Sequence, residues 1–159
     1  MGFTGNCIRR AFSLLELIIV VAIIGIISAI AIPKMSRGAQ AAGESALAAD
    51  MAMWRQAIDM YASEHGNTFP TASIAAQLTT YTNAAGATNS TRDITNGYVY
   101  GPYMRVIPAI PVGSDGIKGT NAIASSSAAG TAWIYDGNGG IAPNTGTLSD
   151  SNGVLYTSY

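Results

Sequence analysis

One apolar stretch near the start of the chain, residues 12–32, limits what the whole sequence can fold into. After its single carboxylate, Glu16, every residue from Leu17 to Ile32 is apolar, glycine or serine. The stretch is about 21 residues long, and an α-helix of that length extends about 30 Å, which is the thickness of the hydrocarbon part of a bilayer. The sequence therefore predicts a helix that crosses a membrane.

Glu16 is the unexpected residue of this stretch. A charged side chain in a membrane helix costs about 2.5–3.5 kcal/mol at the centre of the span by insertion scales, and less near an end. A plain anchor has no need of such a charge. The carboxylate therefore indicates a function beyond anchoring.

The residues around Glu16, Ala11-Phe12-Ser13-Leu14-Leu15-Glu16-Leu17, resemble the class III signal of type IV prepilins and type II secretion pseudopilins. The resemblance implies that residues 1–11 are a short basic leader and that prepilin peptidase cuts between Ala11 and Phe12. It also implies that Phe12 is N-methylated and that Glu16, the fifth residue after the cut, acts in assembly. The family usually has glycine before the cut, and Ala11 departs from that pattern.

Two further residues of the helix, Gly25 and Pro33, fall where the family tends to carry a glycine and a proline. Proline removes a backbone donor and crowds the preceding turn, and glycine lowers helix propensity. We expect the helix to bend or unwind between Gly25 and Pro33 when it packs, which is also what the resemblance to filament-forming pilins implies.

A physical argument connects the cut to Glu16. Cleavage after Ala11 would create a cationic amine on Phe12, about 6–7 Å along the helix axis from Glu16. Burial of either charge in an apolar layer is unfavourable, and their mutual attraction offsets this free-energy cost only when the two groups are in contact. That contact is awkward within one helix, whereas a neighbouring subunit shifted along the axis can make it. Glu16 is therefore predicted to set the register of helices in a filament.

Three other interpretations of the N-terminal region stay open. Arg9-Arg10 resembles a twin-arginine export signal, although no Ser or Thr precedes the pair and Glu16 interrupts the apolar region. Ala29-Ile30-Ala31 could be the cleavage site of an ordinary secretory signal, but the apolar run exceeds the usual length of about 7–15 residues. The third interpretation is a simple anchor in which Glu16 is incidental. Lys34 and Arg37 beyond the span weaken the bias of the arginine pair toward a cytoplasmic N-terminus.

The composition and net charge of the chain limit the classes of function that it can have. The chain is 48% hydrophobic and 11% charged, which fits one domain with one lipid-embedded helix. Loss of Arg9 and Arg10 would move the formal net charge from −1 to −3, so no nucleic-acid partner is predicted.

The only cysteine, Cys7, lies in the leader, so the processed chain could form no disulfide. Many adhesive pilins close a C-terminal loop with one, and the difference favours the pseudopilin branch or a disulfide-free pilus subunit.

A helical pattern continues beyond the apolar stretch to about Glu64. Five large side chains repeat every three or four positions and so share one face of the helix: Leu47, Met51, Trp54, Ile58 and Tyr61. We interpret Trp54 as a packing residue, with a ligand platform as the alternative. Gly66 predicts that the helix ends there, because glycine is the favoured residue just past a helix C-terminus. We interpret His65, the only histidine, as a helix-end residue and not a catalytic base.

The rest of the chain has the pattern of short strands and turns. The predicted elements are a short helix within Thr71–Tyr81, an exposed loop at residues 83–96, strands at Tyr98–Ile107, Ile117–Ala124, Thr131–Tyr135 and Val154–Tyr159, and a turn at Asp136–Gly140 leading to Ile141-Ala142. The segments GPYMRVIPAIP and AWIYDGNGGIAPN resemble the small C-terminal sheet of pseudopilin-like proteins.

The predicted fold class is α+β, with a long N-terminal helix, in a transmembrane half and an amphipathic half, packed on a small antiparallel β-sheet head. The predicted divisions are a leader at residues 1–11, a transmembrane and filament-core helix at 12–33, an amphipathic half at 34–65, and a loop-rich C-terminal β-sheet head at 66–159.

A metal site has weak support. Asp136, Asn138 and the neighbouring glycines resemble part of a calcium loop, and the resemblance to major pseudopilins implies calcium near the C-terminal sheet. Asp115 and Asp150 could add ligands, but no full series ending in a bidentate glutamate is present. Because a hairpin turn explains Asp136–Gly140 without an ion, we predict no cofactor, with calcium as the alternative. No nucleophile elbow, paired-acid motif or phosphate loop occurs, so we predict no enzyme.

The sequence thus predicts a structural subunit of a type IV pilus-like filament, processed by prepilin peptidase and polymerised through its N-terminal helix. The alternatives are a major pseudopilin of a type II secretion system and a non-assembling membrane-anchored binding module that presents residues 83–96. The resemblance implies as partners further copies of the chain in a helical filament, an inner-membrane assembly platform and other minor pilins or pseudopilins. It places the chain in the inner membrane before assembly and in a cell-surface or periplasm-spanning filament afterwards.

Overall fold

The computed structural model describes residues 12–71 and 73–159, with the backbone alone at Pro33. The predicted leader, with Ala11 and Cys7, lies outside the described residues. Between Ala39 and Gln40 the chain divides into two compact units. The elements are α1 (Leu14–Glu64), α2 (Ile74–Thr79), β1 (Tyr81–Thr82), β2 (Thr88–Asn89), β3 (Ala122–Ala124), β4 (Thr131–Tyr135), β5 (Ile141–Pro143) and a 3₁₀ helix (Tyr156–Ser158).

Helix α1 ends where the sequence predicts. Gly66 adopts a left-handed backbone with φ of 63°, a conformation that glycine reaches without the steric cost of a Cβ. The N–H of Asn67 then donates to the carbonyl of Ala62 at 2.8 Å and so satisfies one of the orphan acceptors of the last turn. At the other positions predicted to weaken the helix, Gly25 and Pro33, the backbone is helical. Bending at those positions on packing stays a prediction.

The predicted apolar face of α1 forms one side of the hydrophobic core. Its five residues, from Leu47 to Tyr61, are all at most 2% exposed. Trp54 meets Trp133 of β4 edge to face, with ring centroids 5.8 Å apart. Aromatic pairs in this geometry contribute about 0.5–1.5 kcal/mol beyond the burial of their area. The interpretation of Trp54 as a packing residue is confirmed.

The α+β fold class is confirmed, and the larger sheet is mixed where a wholly antiparallel one was predicted. Its strand order is β3-β4-β5, with β4 and β5 antiparallel and β3 parallel to β4. Asn144, just beyond β5, holds the connection between β3 and β4 in place. Its side chain accepts a hydrogen bond from Ser127 at 2.6 Å and donates to the carbonyls of Ala128 and Thr131 at 3.1 and 2.9 Å. A tertiary contact of this kind has no local sequence signature.

The strand predicted at Tyr98–Ile107 is wrong. Only isolated bridges occur there, between Asp93 and Tyr98 and between Thr82 and Tyr100. Beyond Pro102, the N–H groups of Tyr103 and Met104 both donate to the carbonyl of Leu78 at 2.9 Å. Because α2 takes these donors, the segment has none left at those positions for a neighbouring strand.

Two other strand predictions need correction. Of the segment Ile117–Ala124 only Ala122–Ala124 is a strand, because Gly119 and Thr120 exchange hydrogen bonds of 2.8 Å with Ile110. The segment Val154–Tyr159 forms the 3₁₀ helix and a single bridge between Ser149 and Leu155, in place of a strand.

The other local predictions agree with the structure. Strand β4 has the predicted bounds, and the turn after it is closed by the N–H of Asp136 bonded to the carbonyl of Gly140 at 3.0 Å. Helix α2 lies within the predicted segment. Residues 83–96 are mostly exposed, as predicted, but Thr88–Asn89 within them pairs with β1.

Two methionines of α1 provide a matched test of this packing. Met51 is 1% exposed and Met53 is 41% exposed, so the same substitution on one helix removes either core or surface contacts. We expect Met51→Ala to lower the free energy of unfolding by about 2–5 kcal/mol, because it leaves a cavity. Met53→Ala should change it by less than about 0.5 kcal/mol. Denaturant unfolding of the full chain in detergent, followed by tryptophan fluorescence, measures both. Equal losses in the two variants would contradict the assigned helix face.

Candidate functional site

The first half of α1 presents an apolar surface that the described residues leave exposed. Its large apolar side chains between Phe12 and Ile32 are between 44% and 77% exposed. Helix α1 is the one described helix that is long and apolar enough to cross a membrane, with a mean hydropathy of 2.9 in its most apolar window. Such a surface is stable only when lipid or other protein covers it. We call residues 12–33 the assembly helix.

Glu16 lies in the first turn of this helix. The helix begins at Leu14, and the N–H of Leu17 donates to the carbonyl of Ser13 at 3.2 Å. A carboxylate in the first turn interacts favourably with the partial positive charge of the helix N-terminus. The Glu16 side chain is exposed, and within residues 12–71 and 73–159 it has no hydrogen-bond or salt-bridge partner. The carboxylate is therefore available to a group from outside the chain.

Phe12 comes directly before the helix, and its ring is 77% exposed. The structure thus places the predicted new N-terminus one turn before the carboxylate of Glu16. The cleavage and methylation assigned to Ala11 and Phe12 stay predictions, since Ala11 lies outside the described residues.

No contact within the described residues requires a glycine at position 25. A Cβ built at this position would meet no other atom within 4 Å. The same is true at Gly38, whereas a Cβ at Gly43 would come within 3.2 Å of Val112. Gly25 therefore leaves open space on the helix surface, where another backbone could approach closely. Its predicted role in helix flexibility, like that of Pro33, stays a prediction.

The three weak calcium candidates do not come together. Within the described ranges no group of three or more His, Cys, Asp and Glu residues is placed to hold a metal ion. Asp136 accepts the N–H groups of Asn138 and Gly140 at 2.7 and 2.9 Å. Asp150 caps its own turn in the same way, and Asp115 is exposed. Asp136 and Asp150 thus each stabilise the turn in which they lie.

His65 is a structural residue at the end of α1. Its Nδ1 lies 2.9 Å from the carbonyl of Tyr61, and its Nε2 lies 3.0 Å from the carbonyl of Asn83 and 3.2 Å from the hydroxyl of Thr82. The ring stacks on that of Tyr61 with centroids 3.9 Å apart. Because both ring nitrogens are engaged and the side chain is buried, the interpretation as a helix-end residue is confirmed.

Sequence reasoning missed Glu44. This carboxylate is only 9% exposed and accepts hydrogen bonds from Ser151 and Tyr156 in the C-terminal segment. A signal was present, because Glu44 precedes Leu47 by three positions and Met51 by seven. It therefore lies on the same helix face as the apolar residues, and an acid on such a face needs a polar partner.

Comparison with known proteins finds two similarities. The family description "Prokaryotic N-terminal methylation motif" matches residues 8–32. The chain is also 27% identical over 107 residues to the type II secretion system core protein G of Klebsiella pneumoniae. The aligned region covers 67% of this chain and 71% of that protein. Both similarities support the type IV pilin and pseudopilin family for this chain. No solved structure matches it.

Most of the matched motif lies on the assembly helix. The methylation motif contains Phe12, Glu16 and Gly25, and it ends at Ile32. The similarities thus support a subunit of pilin or pseudopilin type, which is a structural and not an enzymatic class of protein. The apolar helix fits membrane anchoring.

The turn capped by Asp150 gives a prediction about pH. Hydrogen bonds, the largest from the N–H of Val154 and a further one from the Tyr159 hydroxyl, lower the pKa of Asp150. A carboxyl whose pKa is lowered by folding stabilises the native state above its unfolded pKa, and the effect is lost as the pH falls through the folded pKa. We expect Asp150→Asn, which keeps an acceptor oxygen but not the charge, to melt at a lower temperature than the parent at about pH 6.

The difference in melting temperature should shrink as the pH falls below about 3.9, the ordinary pKa of aspartate, and should vanish once the folded parent protein is itself protonated at Asp150. Asp115→Asn is the matched control, since Asp115 is exposed and accepts no hydrogen bond within the described residues. Thermal unfolding of parent and variants across this pH range gives the result. A difference that is independent of pH would show that the charge of Asp150 does not contribute.

Proposed function

We propose that this chain is a filament subunit of a type II secretion pseudopilus, stored in the inner membrane through the assembly helix and polymerised through the same helix. The observation that carries the proposal is the apolar surface of residues 12–32, which the described chain leaves uncovered. Such a surface can be stored in lipid and then transferred to a bundle of identical helices, because both environments are apolar. The similarity to core protein G over 107 residues supports the pseudopilus over a pilus.

Processing prepares the helix for this transfer. In our proposal, prepilin peptidase removes residues 1–11 by cutting between Ala11 and Phe12, and the new N-terminus of Phe12 is methylated. The match of residues 8–32 to the N-terminal methylation motif supports this step. Removal of the leader also removes Arg9 and Arg10, so that no cationic side chain precedes the apolar surface.

Glu16 then aligns neighbouring subunits. Its carboxylate has no partner within the described chain, and in an apolar layer an unpaired charge is unfavourable by several kcal/mol. The amine of Phe12 from a neighbouring subunit has the opposite charge, and it too is unfavourable when it is buried without a partner. Pairing the two charges lowers the energy of both, and it is possible only when the helices are correctly staggered. Incorrect staggers leave two buried charges unpaired, so the pair selects one register.

Helix flexibility and further partners complete the proposal. Gly25 and Pro33 allow the helix to bend or unwind as it packs, since glycine and proline both weaken a helix interior. The filament grows from an inner-membrane assembly platform and contains other pseudopilins. In this arrangement it spans the periplasm and takes part in protein transport. The methylation motif fits a type IV pilin equally well, and the similarity to core protein G is the observation that supports the secretion system in this proposal.

Mass spectrometry of the mature protein tests the processing step. We expect the first residue to be Phe12, with the N-terminal peptide one methyl group heavier than the unmodified sequence. Ala11→Gly should leave the same N-terminus, because it changes only the residue before the cut. An intact Met1 or an N-terminus at Ile32 would reject the peptidase assignment.

Substitution of Glu16 tests the assembly step. We expect Glu16→Ala to insert into the membrane as the parent does, since an apolar residue replaces a charge, but to form few or no filaments. Alkaline extraction of membranes measures insertion, and electron microscopy of sheared filaments measures assembly. Asp115→Ala, which removes an exposed acid from the C-terminal part, is the control and should assemble normally. Normal filaments from Glu16→Ala would remove the basis for the register role.

The same Glu16→Ala strain separates the two kinds of filament. A pseudopilus subunit that cannot assemble should abolish the release of exported proteins into the medium. If release of exported proteins continues while surface pili disappear, the chain is a pilus subunit and the secretion proposal fails.

A further inference from the structure

The C-terminal segment, residues 148–159, is held on helix α1 by one buried carboxylate. Glu44 is 9% exposed and accepts four hydrogen bonds. Its Oε1 accepts the N–H of Ser151 at 2.9 Å, the Tyr156 hydroxyl at 3.2 Å and the side-chain amide of Gln40 at 2.9 Å. Its Oε2 accepts the Ser151 hydroxyl at 3.0 Å. Three of the four donors thus come from the C-terminal segment, more than 100 residues further along the chain.

Two further contacts extend this attachment. The Arg55 guanidinium, about three turns along the helix from Glu44, donates to the main-chain oxygen of Tyr159. The hydroxyl of Tyr159 donates to Oδ2 of Asp150 at 2.9 Å, while Oδ1 of Asp150 accepts the N–H groups of Asn152 and Val154. We call Glu44 and residues 148–159, with these contacts, the C-terminal clamp.

The chemistry of Glu44 makes it the centre of the clamp. Hydrogen bonds to an ionised acceptor are shorter and about twice as strong as those between neutral groups. Within the described residues no cationic side chain lies in salt-bridge contact with Glu44, so these four donors compensate its burial. Removal of the carboxylate would leave the donors of Ser151 and Tyr156 without their acceptor.

A divalent cation does not fit this part of the molecule. Calcium takes about 6–8 oxygen ligands, several of them carboxylates with free lone pairs. At the clamp, both oxygens of Glu44 and both oxygens of Asp150 already accept N–H or O–H donors. Asp136 is occupied by its own turn, and no third acid joins any pair of them in the described chain. The donor set is that of a hydrogen-bonded attachment, in contrast to the calcium that the family resemblance implies for this region.

We propose that Glu44 is the positioning residue that fixes the C-terminal segment on helix α1, and that the C-terminal clamp works without a divalent cation. The carboxylate gathers backbone and hydroxyl donors from one short segment, which is the task that a bound cation performs when it gathers carboxylates and carbonyls. The proposal is independent of the kind of filament to which the chain belongs.

Hydrogen exchange of the full chain in detergent, read by mass spectrometry, tests both parts. With the parent protein, exchange in the peptide that contains residues 148–159 should be the same in EDTA and in millimolar calcium chloride. Glu44→Ala should speed exchange in that peptide by about tenfold or more while peptides from β4 and β5 exchange as before. Asp59→Asn, which changes an exposed acid on the same helix, is the control and should exchange like the parent.

A milder variant keeps the test decisive if Glu44→Ala does not fold. Tyr156→Phe removes a single donor to Glu44 and should speed exchange in the same peptide by about threefold or more, with the rest of the chain unchanged. Calcium that slows exchange of this peptide in the parent would overturn the cation-free clamp. Unchanged exchange in both Glu44→Ala and Tyr156→Phe would overturn the role of Glu44.

Discussion

The exposed apolar surface of the assembly helix cannot remain in contact with water, and most of the biology of this chain follows from that constraint. Burial of apolar surface stabilises a protein by about 25 cal/mol per Å², and every large apolar side chain of residues 12–32 forgoes this gain in the isolated chain. A bilayer and a bundle of like helices both provide the missing cover. In our proposal Glu16 adds specificity, because an apolar surface alone does not define how two helices are staggered.

The C-terminal unit differs, because many of its large apolar residues are buried in a core within the unit. The face of α1 that contains Met51 and Trp54 packs on β4, and the edge-to-face contact of Trp54 with Trp133 lies at the centre. Around this core, hydrogen bonds from polar side chains hold segments that lie outside the short strands. Asn144 fixes the connection between β3 and β4, and Glu44 fixes the C-terminal segment. The strands themselves are at most five residues long.

Local signals in the sequence were sufficient for the helix and insufficient for much of the sheet. The spacing of Leu47 to Tyr61 and the glycine at position 66 are local features, so the buried face and the end of α1 were predictable. The parallel pairing of β3 and the loss of a strand at Tyr98–Ile107 depend on donors and acceptors far apart in sequence, such as Leu78 with Met104. Glu16 was conspicuous as a charge in an apolar run and Phe12 was assigned through the family resemblance, and the roles of both stay predictions. Glu44 required the tertiary structure to reveal its partners.

The central claim is that the carboxylate of Glu16 meets the N-terminal amine of a neighbouring subunit within the filament. An electron cryo-microscopy reconstruction of the filament, at a resolution that shows side chains, measures this directly. The claim predicts that the carboxylate of Glu16 lies within about 4 Å of the Phe12 nitrogen of a neighbour, the distance of a salt bridge. A filament in which Glu16 faces away from every neighbouring N-terminus, with the helices packed through apolar contacts alone, would contradict it.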